Sequence, residues 1–190
     1  MGRPKALVEF AGEPLVRRAV RVLSDGGTGP LLVVVGAAAD EVRALLPPAV
    51  QAVEAADWAA GMGASVRAGL AALAELRPVP DAVVVHLVDL PGITAAAVAR
   101  LAADAGPTSL RRAAYAGRPG HPVLLGREHW AGVAAEAHAD SGARGYLAGH
   151  PQLELVECGD VATADDVDTP EQLARAQGMS ATPPSGRDPS

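Results

Sequence analysis

Ala82 to Val88 is a short, almost wholly apolar run that ends abruptly in Asp89, Leu90, Pro91 and Gly92. A strand with apolar residues on both faces belongs inside a sheet that is covered on both sides. In open α/β sheets, ligands bind in the crevice beyond the carboxyl ends of such strands. This one run therefore constrains fold and site together, because it predicts a buried strand over 82–88 with the Asp89 carboxylate pointing into that crevice.

The rest of the chain alternates in the way such a sheet requires. Leu15, Val16, Ala19, Val20 and Leu23 recur at helical spacing, with Arg17, Arg18 and Arg21 between them, which predicts an amphipathic helix over Glu13 to Asp25 closed by Gly26-Gly27. Strands are expected at Leu31 to Val35, Val50 to Val53, Ser109 to Tyr115, Val123 to Leu125 and Leu153 to Glu157. Helices are expected at Ala38 to Leu46, Met62 to Leu76, Thr94 to about Asp104, Arg127 to Ala137, Gly142 to Ala148 and Thr169 to Gln177, with Gly117 to Pro122 as a loop. The implied class is α/β, doubly wound, with a mostly parallel sheet and helices on both faces.

At 190 residues with 49% hydrophobic content, the chain can bury one sizeable core. Residues 1–177 read as one domain. Residues 178–190, rich in Ser and Pro, are expected to be a disordered tail because they hold too little apolar surface to offset their ordering entropy. A formal charge of −6 argues against a nucleic-acid or anionic-membrane partner and favours a small soluble substrate. Cys158 is the only cysteine, so no disulfide framework or thiol cluster exists, and a cytoplasmic setting is expected. No charged-then-apolar leader and no spanning apolar stretch is apparent.

Two polar segments could complete a site with Asp89. In Asp165-Asp166-Val167-Asp168-Thr169-Pro170-Glu171-Gln172, much is helix-start chemistry: Thr169 as N-cap, Pro170 at the first helical position and Gln172 closing a capping box. If the preceding stretch is extended, Asp166 and Asp168 share one side and can meet Asp89. Two hard oxygen ligands from separate loops are a typical protein contribution to a phosphate-carrying Mg²⁺, while capping alone is the competing account of Asp168. The basic start, Met1-Gly2-Arg3-Pro4-Lys5, is either a solvated terminus or a phosphate contact. His121, beside Gly120 and Pro122, reads equally as a substrate contact or a solvated loop residue, and His86 as a hydrogen-bonded core residue.

Met1-Gly2-x-Pro4-Lys5, Gly61-Met62-x-x-Ser65, Val88-Asp89-Leu90-Pro91, Gly120-His121-Pro122 and Asp166-Val167-Asp168-Thr169-Pro170 occur here in one order. Together they resemble the molybdenum cofactor cytidylyltransferase-like (MobA-like) nucleotidyltransferases, over roughly Met1 to Ala176. That resemblance implies a nucleotide-diphospho-sugar transferase-like fold and transfer of CMP or GMP from CTP or GTP to a phosphorylated acceptor, with pyrophosphate released. It implies that Lys5, with Gly2 and Arg3, contacts nucleotide phosphates, and that Asp89 and Asp168 bind Mg²⁺. It also implies that Ser65 lies near the nucleotide pocket and Gly120-His121-Pro122 on the acceptor side, and that Arg144, in the Asp140-x-Gly142-Ala143-Arg144 element, binds substrate. CTP and a molybdopterin-type acceptor are the leading expectation, with a molybdoenzyme as a further partner.

The family's first strand and Gly-rich phosphate loop have no counterpart before Met1-Gly2. Their lack is expected to leave two strands with unpaired edges and an apolar face open, and the expectation is that coding sequence continues upstream. Without that loop, little transferase activity and poor solubility are expected. The competing readings are a non-catalytic nucleotide-binding module, a guanylyltransferase acting on another phosphorylated small molecule, and a hydrolase that uses Asp89 as nucleophile.

Overall fold

The computed structural model describes residues 4–180. A 3-10 turn at Lys5–Leu7 leads into a short antiparallel ribbon, β1 (Glu9–Phe10) and β2 (Glu13–Pro14), and then into helix α1 (Leu15–Asp25). The helix starts later than its periodicity suggests because Ala11 and Gly12 both have positive φ, 51° and 80°, which makes a tight hairpin that draws Glu13 into the ribbon. There follow β3 (Leu32–Val35), α2 (Ala39–Leu45), β4 (Gln51–Glu54), α3 (Met62–Ala74), β5 (Ala82–Val85) and α4 (Ala95–Ala102). The second half consists of β6 (Leu110–Tyr115), β7 (Arg118–Gly126), α5 (Trp130–Glu136), α6 (Arg144–Leu147), β8 (Glu154–Glu157) and α7 (Pro170–Ser180). Helix α7 runs past Gln177, where a tail was expected to begin, and residues 181–190 lie outside the described residues.

The α/β class holds, and the strand pairing is mixed. β3 and β4 form a parallel pair, while the larger sheet has the order β5-β7-β6-β8. In that sheet β6 and β8 are parallel, as expected, but β7 runs antiparallel to both β5 and β6. The cause is local: Ala116 and Gly117 take φ of 50° and 75°, the two-residue turn that folds β6 back on itself as a hairpin. Residues 118–122, read above as loop, are therefore the start of β7. Two prolines disguise this, since Pro119 and Pro122 cannot donate to a ladder, and the hairpin absorbs them with a register shift between Arg112 and Ala114.

The same effect shortens β5. It pairs Val85 with Val123, so the next partner along β7 is Pro122, and the ladder stops at Val85 rather than at Val88. Asp89 consequently lies in a turn beyond the strand. Side chains of β5 alternate faces: Val84 packs with Val22, Ile93 and Val98 on the α1/α4 side, while Val83 and Val85 pack with Leu70, Leu73 and Val133 on the α3/α5 side. Helices thus cover both faces. On their other sides, β3 and β5 pair with nothing among the described residues.

Candidate functional site

Three elements bring charge to one point. Leu7 is buried against Val16, Val35 and Val42, and it pins the turn that presents Lys5. Leu90 and Ile93 are buried on either side of Pro91 and Gly92, which anchors the turn that carries Asp89. Arg18 of α1 clamps that turn by donating from Nε and Nη2 to the Pro91 carbonyl at 2.9 and 2.7 Å. The third element is the extended approach to α7. Val167 is fully buried against Phe10 and Leu15, and its N–H donates to the Asp89 carbonyl at 3.0 Å. Alternation then turns Asp166 and Asp168 outward, as expected for an extended stretch.

Lys5 Nζ donates to Asp89 Oδ2 at 2.7 Å and also to Asp168 Oδ1. Residues separated by 84 and 163 positions in sequence thus meet around one ammonium. Burial alone would lower the lysine's pKa, but the hydrogen bonds to Asp168 and Asp89 outweigh it and raise it, so Lys5 stays charged. The Asp168 carboxyl is held below its ordinary range by its hydrogen bond to Lys5 and by the lysine's charge. Capping does not compete for Asp168. Thr169 Oγ1 accepts from the Gln172 N–H at 3.2 Å, and Gln172 Oε1 accepts from the N–H groups of Thr169 and Asp168, both at 2.8 Å, so the box is complete without the Asp168 side chain. Gly2 and Arg3 lie outside the described residues.

The two carboxylates supply hard oxygens from separate loops, a donor set that suits Mg²⁺ or Mn²⁺. Among the described residues no group of three His, Cys, Asp or Glu side chains could hold a metal on its own, so phosphate oxygens and water would have to complete the shell. That is how Mg²⁺ is commonly held beside a nucleotide.

A second polar group adjoins this one in a large cavity, where Ser65, His86, Arg112, His121 and Arg144 line the wall. Asp89 acts electrostatically on both histidines, which places the two groups side by side. Arg112 Nε donates to the Gly120 carbonyl at 2.9 Å, and Tyr115 OH donates to the His121 carbonyl at 2.6 Å, so β6 fixes the Gly120-His121-Pro122 stretch from beside it. A Cβ at Gly120 would lie 2.9 Å from the Tyr115 ring, so glycine is needed there. The turn of this hairpin is held in turn by Glu157, whose carboxylate accepts from the N–H groups of Ala116 and Gly117 at 3.0 Å each.

His86 departs from its reading as a hydrogen-bonded core residue. Its Nδ1 is buried without a partner, as is that of His121. Desolvation, with a smaller contribution from His121, lowers the His86 pKa to about 4, and burial lowers that of His121. Both rings are therefore neutral near pH 7 and offer unused ring nitrogens to whatever enters. Arg112 is the residue that sequence reasoning missed; its only signal was its place in the Arg111-Arg112 pair inside an expected strand. Burial, and then the charge of the nearby Arg144, depress its pKa, which places the two guanidinium groups close together. Cys158 is buried, and burial raises its pKa, which leaves it an inert core thiol.

Residues 1–155 match the family of MobA-like NTP transferase domains. The chain is 37% identical over 186 residues to the nicotine blue oxidoreductase of Paenarthrobacter nicotinovorans, covering 92% of this chain and 89% of that one. It is 42% identical over 94 residues to the bifunctional IPC transferase and DIPP synthase of Rubrobacter xylanophilus, covering 46% of this chain and 20% of the relative. Among solved structures, Rv0371c of Mycobacterium tuberculosis superposes with a TM-score of 0.76 at 26% identity, covering 94% of this chain and 90% of that one. The same protein in complex with manganese gives a TM-score of 0.71 at 28% identity, covering 93% of each chain.

Proposed function

The chain belongs to the MobA-like NTP transferase family, and on that premise we propose that it transfers a nucleotidyl group, CMP in preference to GMP, from an NTP to a phosphorylated small molecule of the molybdopterin type. The observation that carries this reading is the convergence of Asp89 and Asp168 on Lys5. An acceptor phosphate oxygen attacks the α-phosphorus, a new P–O bond forms, the bond to the bridging oxygen breaks, and pyrophosphate leaves. Because two anions must approach one another, the chief requirements are positioning and charge neutralisation.

Lys5 is suited to the second requirement: it is held charged, and it can turn from the carboxylates toward the β- and γ-phosphates when these arrive. Asp89 and Asp168 would hold a divalent cation, which when bound neutralises the phosphate oxygens and stabilises the departing pyrophosphate. Manganese in the related mycobacterial structure supports a divalent ion in this fold. On the acceptor side, Arg112 and Arg144 would bind the attacking phosphate, with His121 beside them, while Ser65 in the same cavity wall would face the nucleotide. Neutral His86 and His121 can accept or donate hydrogen bonds there without adding charge. A lone cysteine in a buried, unreactive position accords with a cytoplasmic enzyme, and a molybdoenzyme would be the natural recipient of the product.

The test is release of pyrophosphate from CTP and GTP, with Mg²⁺ and molybdopterin as acceptor. Asp89→Asn should lower turnover by about 10³-fold, of the order that loss of a dominant electrostatic contact gives, with an unchanged circular dichroism spectrum. Full activity in that variant would remove Asp89 from the mechanism. A second reading is favoured by the 37% identity to nicotine blue oxidoreductase: the same cleft would bind nicotine blue. Binding of nicotine blue, without pyrophosphate release from any NTP, would select that reading.

A further inference from the structure

The His121 ring has a defined polarity. It is hydrogen-bonded to the backbone of Val85, and since its Nδ1 is buried without a partner, that bond belongs to Nε2. A carbonyl can only accept, so Nε2 carries the hydrogen, and in a neutral ring Nδ1 is left as a bare acceptor. Burial lowers the ring's pKa, which keeps it neutral near pH 7. The backbone beside it is held as well: Tyr115 OH donates to the His121 carbonyl at 2.6 Å, and Arg112 Nε donates to the Gly120 carbonyl at 2.9 Å. His86 Nδ1 is also unpartnered, but no bond among the described residues fixes its tautomer, so His121 alone presents an acceptor of known direction.

Two guanidinium groups face the same space. Arg112 and Arg144 line the cavity with His121, and both act electrostatically on its ring. Arg112 uses Nε on Gly120 and keeps both Nη groups, while Arg144 keeps all its donors among the described residues. Asp89 also acts on the ring, but an ionised carboxylate only accepts and cannot satisfy Nδ1. The cluster therefore calls for an anion beside the arginines and a hydrogen-bond donor beside Nδ1. A phosphomonoester supplies both from one group, because with a second pKa of about 6 it is partly protonated near neutral pH. Its ionised oxygens suit the arginines, and its P–OH suits Nδ1. A sulfate ester, an ionised carboxylate or a phosphodiester brings only oxygen lone pairs, and would leave Nδ1 buried against another acceptor.

We infer that His121 is a specificity-determining residue that selects the acceptor by the proton on its phosphate: the group is bound as a hydrogen phosphate, its P–OH donating to Nδ1 while Arg112 and Arg144 hold the ionised oxygens. This rests on the proposed function, which puts the two arginines on the acceptor side. It narrows the acceptor to a terminal phosphomonoester and turns away sulfate esters and phosphodiesters.

Inorganic phosphate keeps an O–H at neutral pH and sulfate does not, so these two anions are the probes, used on the 190-residue chain. Binding is followed by calorimetry at constant ionic strength, and the histidine tautomers by ¹⁵N NMR of the labelled protein, with His121→Asn to assign the resonances. Phosphate should bind about 10- to 100-fold more tightly than sulfate, the difference between a buried acceptor that is satisfied and one that is not. The free His121 ring should carry hydrogen at Nε2 and none at Nδ1; phosphate should shift the Nδ1 resonance, and sulfate should not. In His121→Asn the preference should fall below about 3-fold, because the amide can turn either its N–H or its carbonyl oxygen toward the anion. Equal affinities in the wild type, or a hydrogen on Nδ1 with phosphate bound, would overturn the inference, and both are read without the variant should it fail to fold. Binding of neither anion would overturn it too. Pyrophosphate release without discrimination between the anions would remove this inference alone, and discrimination without pyrophosphate release would remove the transfer reaction alone.

Discussion

Gly92 offers a direct test of how the site is held together. Its N-terminal neighbours carry Asp89, and it lies against Thr163 in the strand-like approach to Asp168. Thr163 N–H donates to the Gly92 carbonyl at 3.1 Å, and Val167 N–H to the Asp89 carbonyl at 3.0 Å, so two hydrogen bonds fasten the two acid-bearing segments. A Cβ placed on Gly92 would sit 2.2 Å from Thr163 Oγ1 and 2.7 Å from the Thr163 carbonyl oxygen. The hydroxyl can rotate away, but the carbonyl is backbone. Restoring an ordinary C···O separation of about 3.3 Å requires the segments to part by roughly 0.6 Å. Gly92→Ala should therefore cost about 1–3 kcal/mol through overpacking, which for a chain of this size lowers Tm by about 2–12 °C. A misplacement of about 1 Å costs about 100-fold in rate, so the smaller shift should lower kcat about 10-fold or somewhat more. Steady-state pyrophosphate release and thermal melts would measure the two effects on one preparation. Wild-type turnover together with wild-type Tm would refute the reasoning, since it would mean that the contact between the two segments is not needed to align the carboxylates.

Arg144→Met should raise the KM for the phosphorylated acceptor about 10- to 100-fold, the worth of a charged hydrogen bond, with the NTP KM unchanged. Its Tm should also stay unchanged, because the Arg144 side chain makes no hydrogen bond or ion pair among the described residues. An equal rise in both KM values would move Arg144 out of the acceptor side. Stability should also depend on pH through His86. Its folded pKa of about 4 lies below the ordinary 6.5, so the unfolded chain binds more protons between those values. That contribution is complete above pH 6.5 and lost as pH falls toward 4, by about 3 kcal/mol at most. Urea melts of His86→Leu should show no slope from this source between pH 6.5 and 5; an unchanged slope would show that His86 is not the group responsible.

Much of this arrangement is legible in the sequence because short-range rules govern it. The apolar run before Asp89, the Thr169-Pro170-Gln172 helix start and the outward alternation of Asp166 and Asp168 all follow from residues within a few positions of each other. Thr94 caps α4, its Oγ1 accepting from Ala97 N–H at 3.3 Å, as its place before an apolar stretch suggests. What the sequence hides is pairing at long range. Pro119 and Pro122 read as a loop, yet they lie in β7, because the register shift beside Arg112 lets the partner strand do without their N–H groups. The early end of β5 has the same origin, through Pro122. Arg112 and His86 became candidates only once β6, β7 and β5 were seen to turn them toward one space, which no spacing along the chain encodes. Family resemblance implied a phosphate contact for Lys5 and a metal role for Asp89 and Asp168, but not that Lys5 bonds both carboxylates; the buried anchors Leu7, Leu90, Ile93 and Val167 bring the three together.

The most direct test of the central idea, that Asp89 and Asp168 form one cation-binding pair beside a phosphate-binding lysine, is an anomalous-scattering map of crystals soaked with Mn²⁺ and CTP. The account predicts a single manganese peak shared by both carboxylates, with Lys5 Nζ released from them and bonded to the β- or γ-phosphate. Manganese bound elsewhere, or nucleotide bound with Lys5 still bridging the two acids, would contradict it.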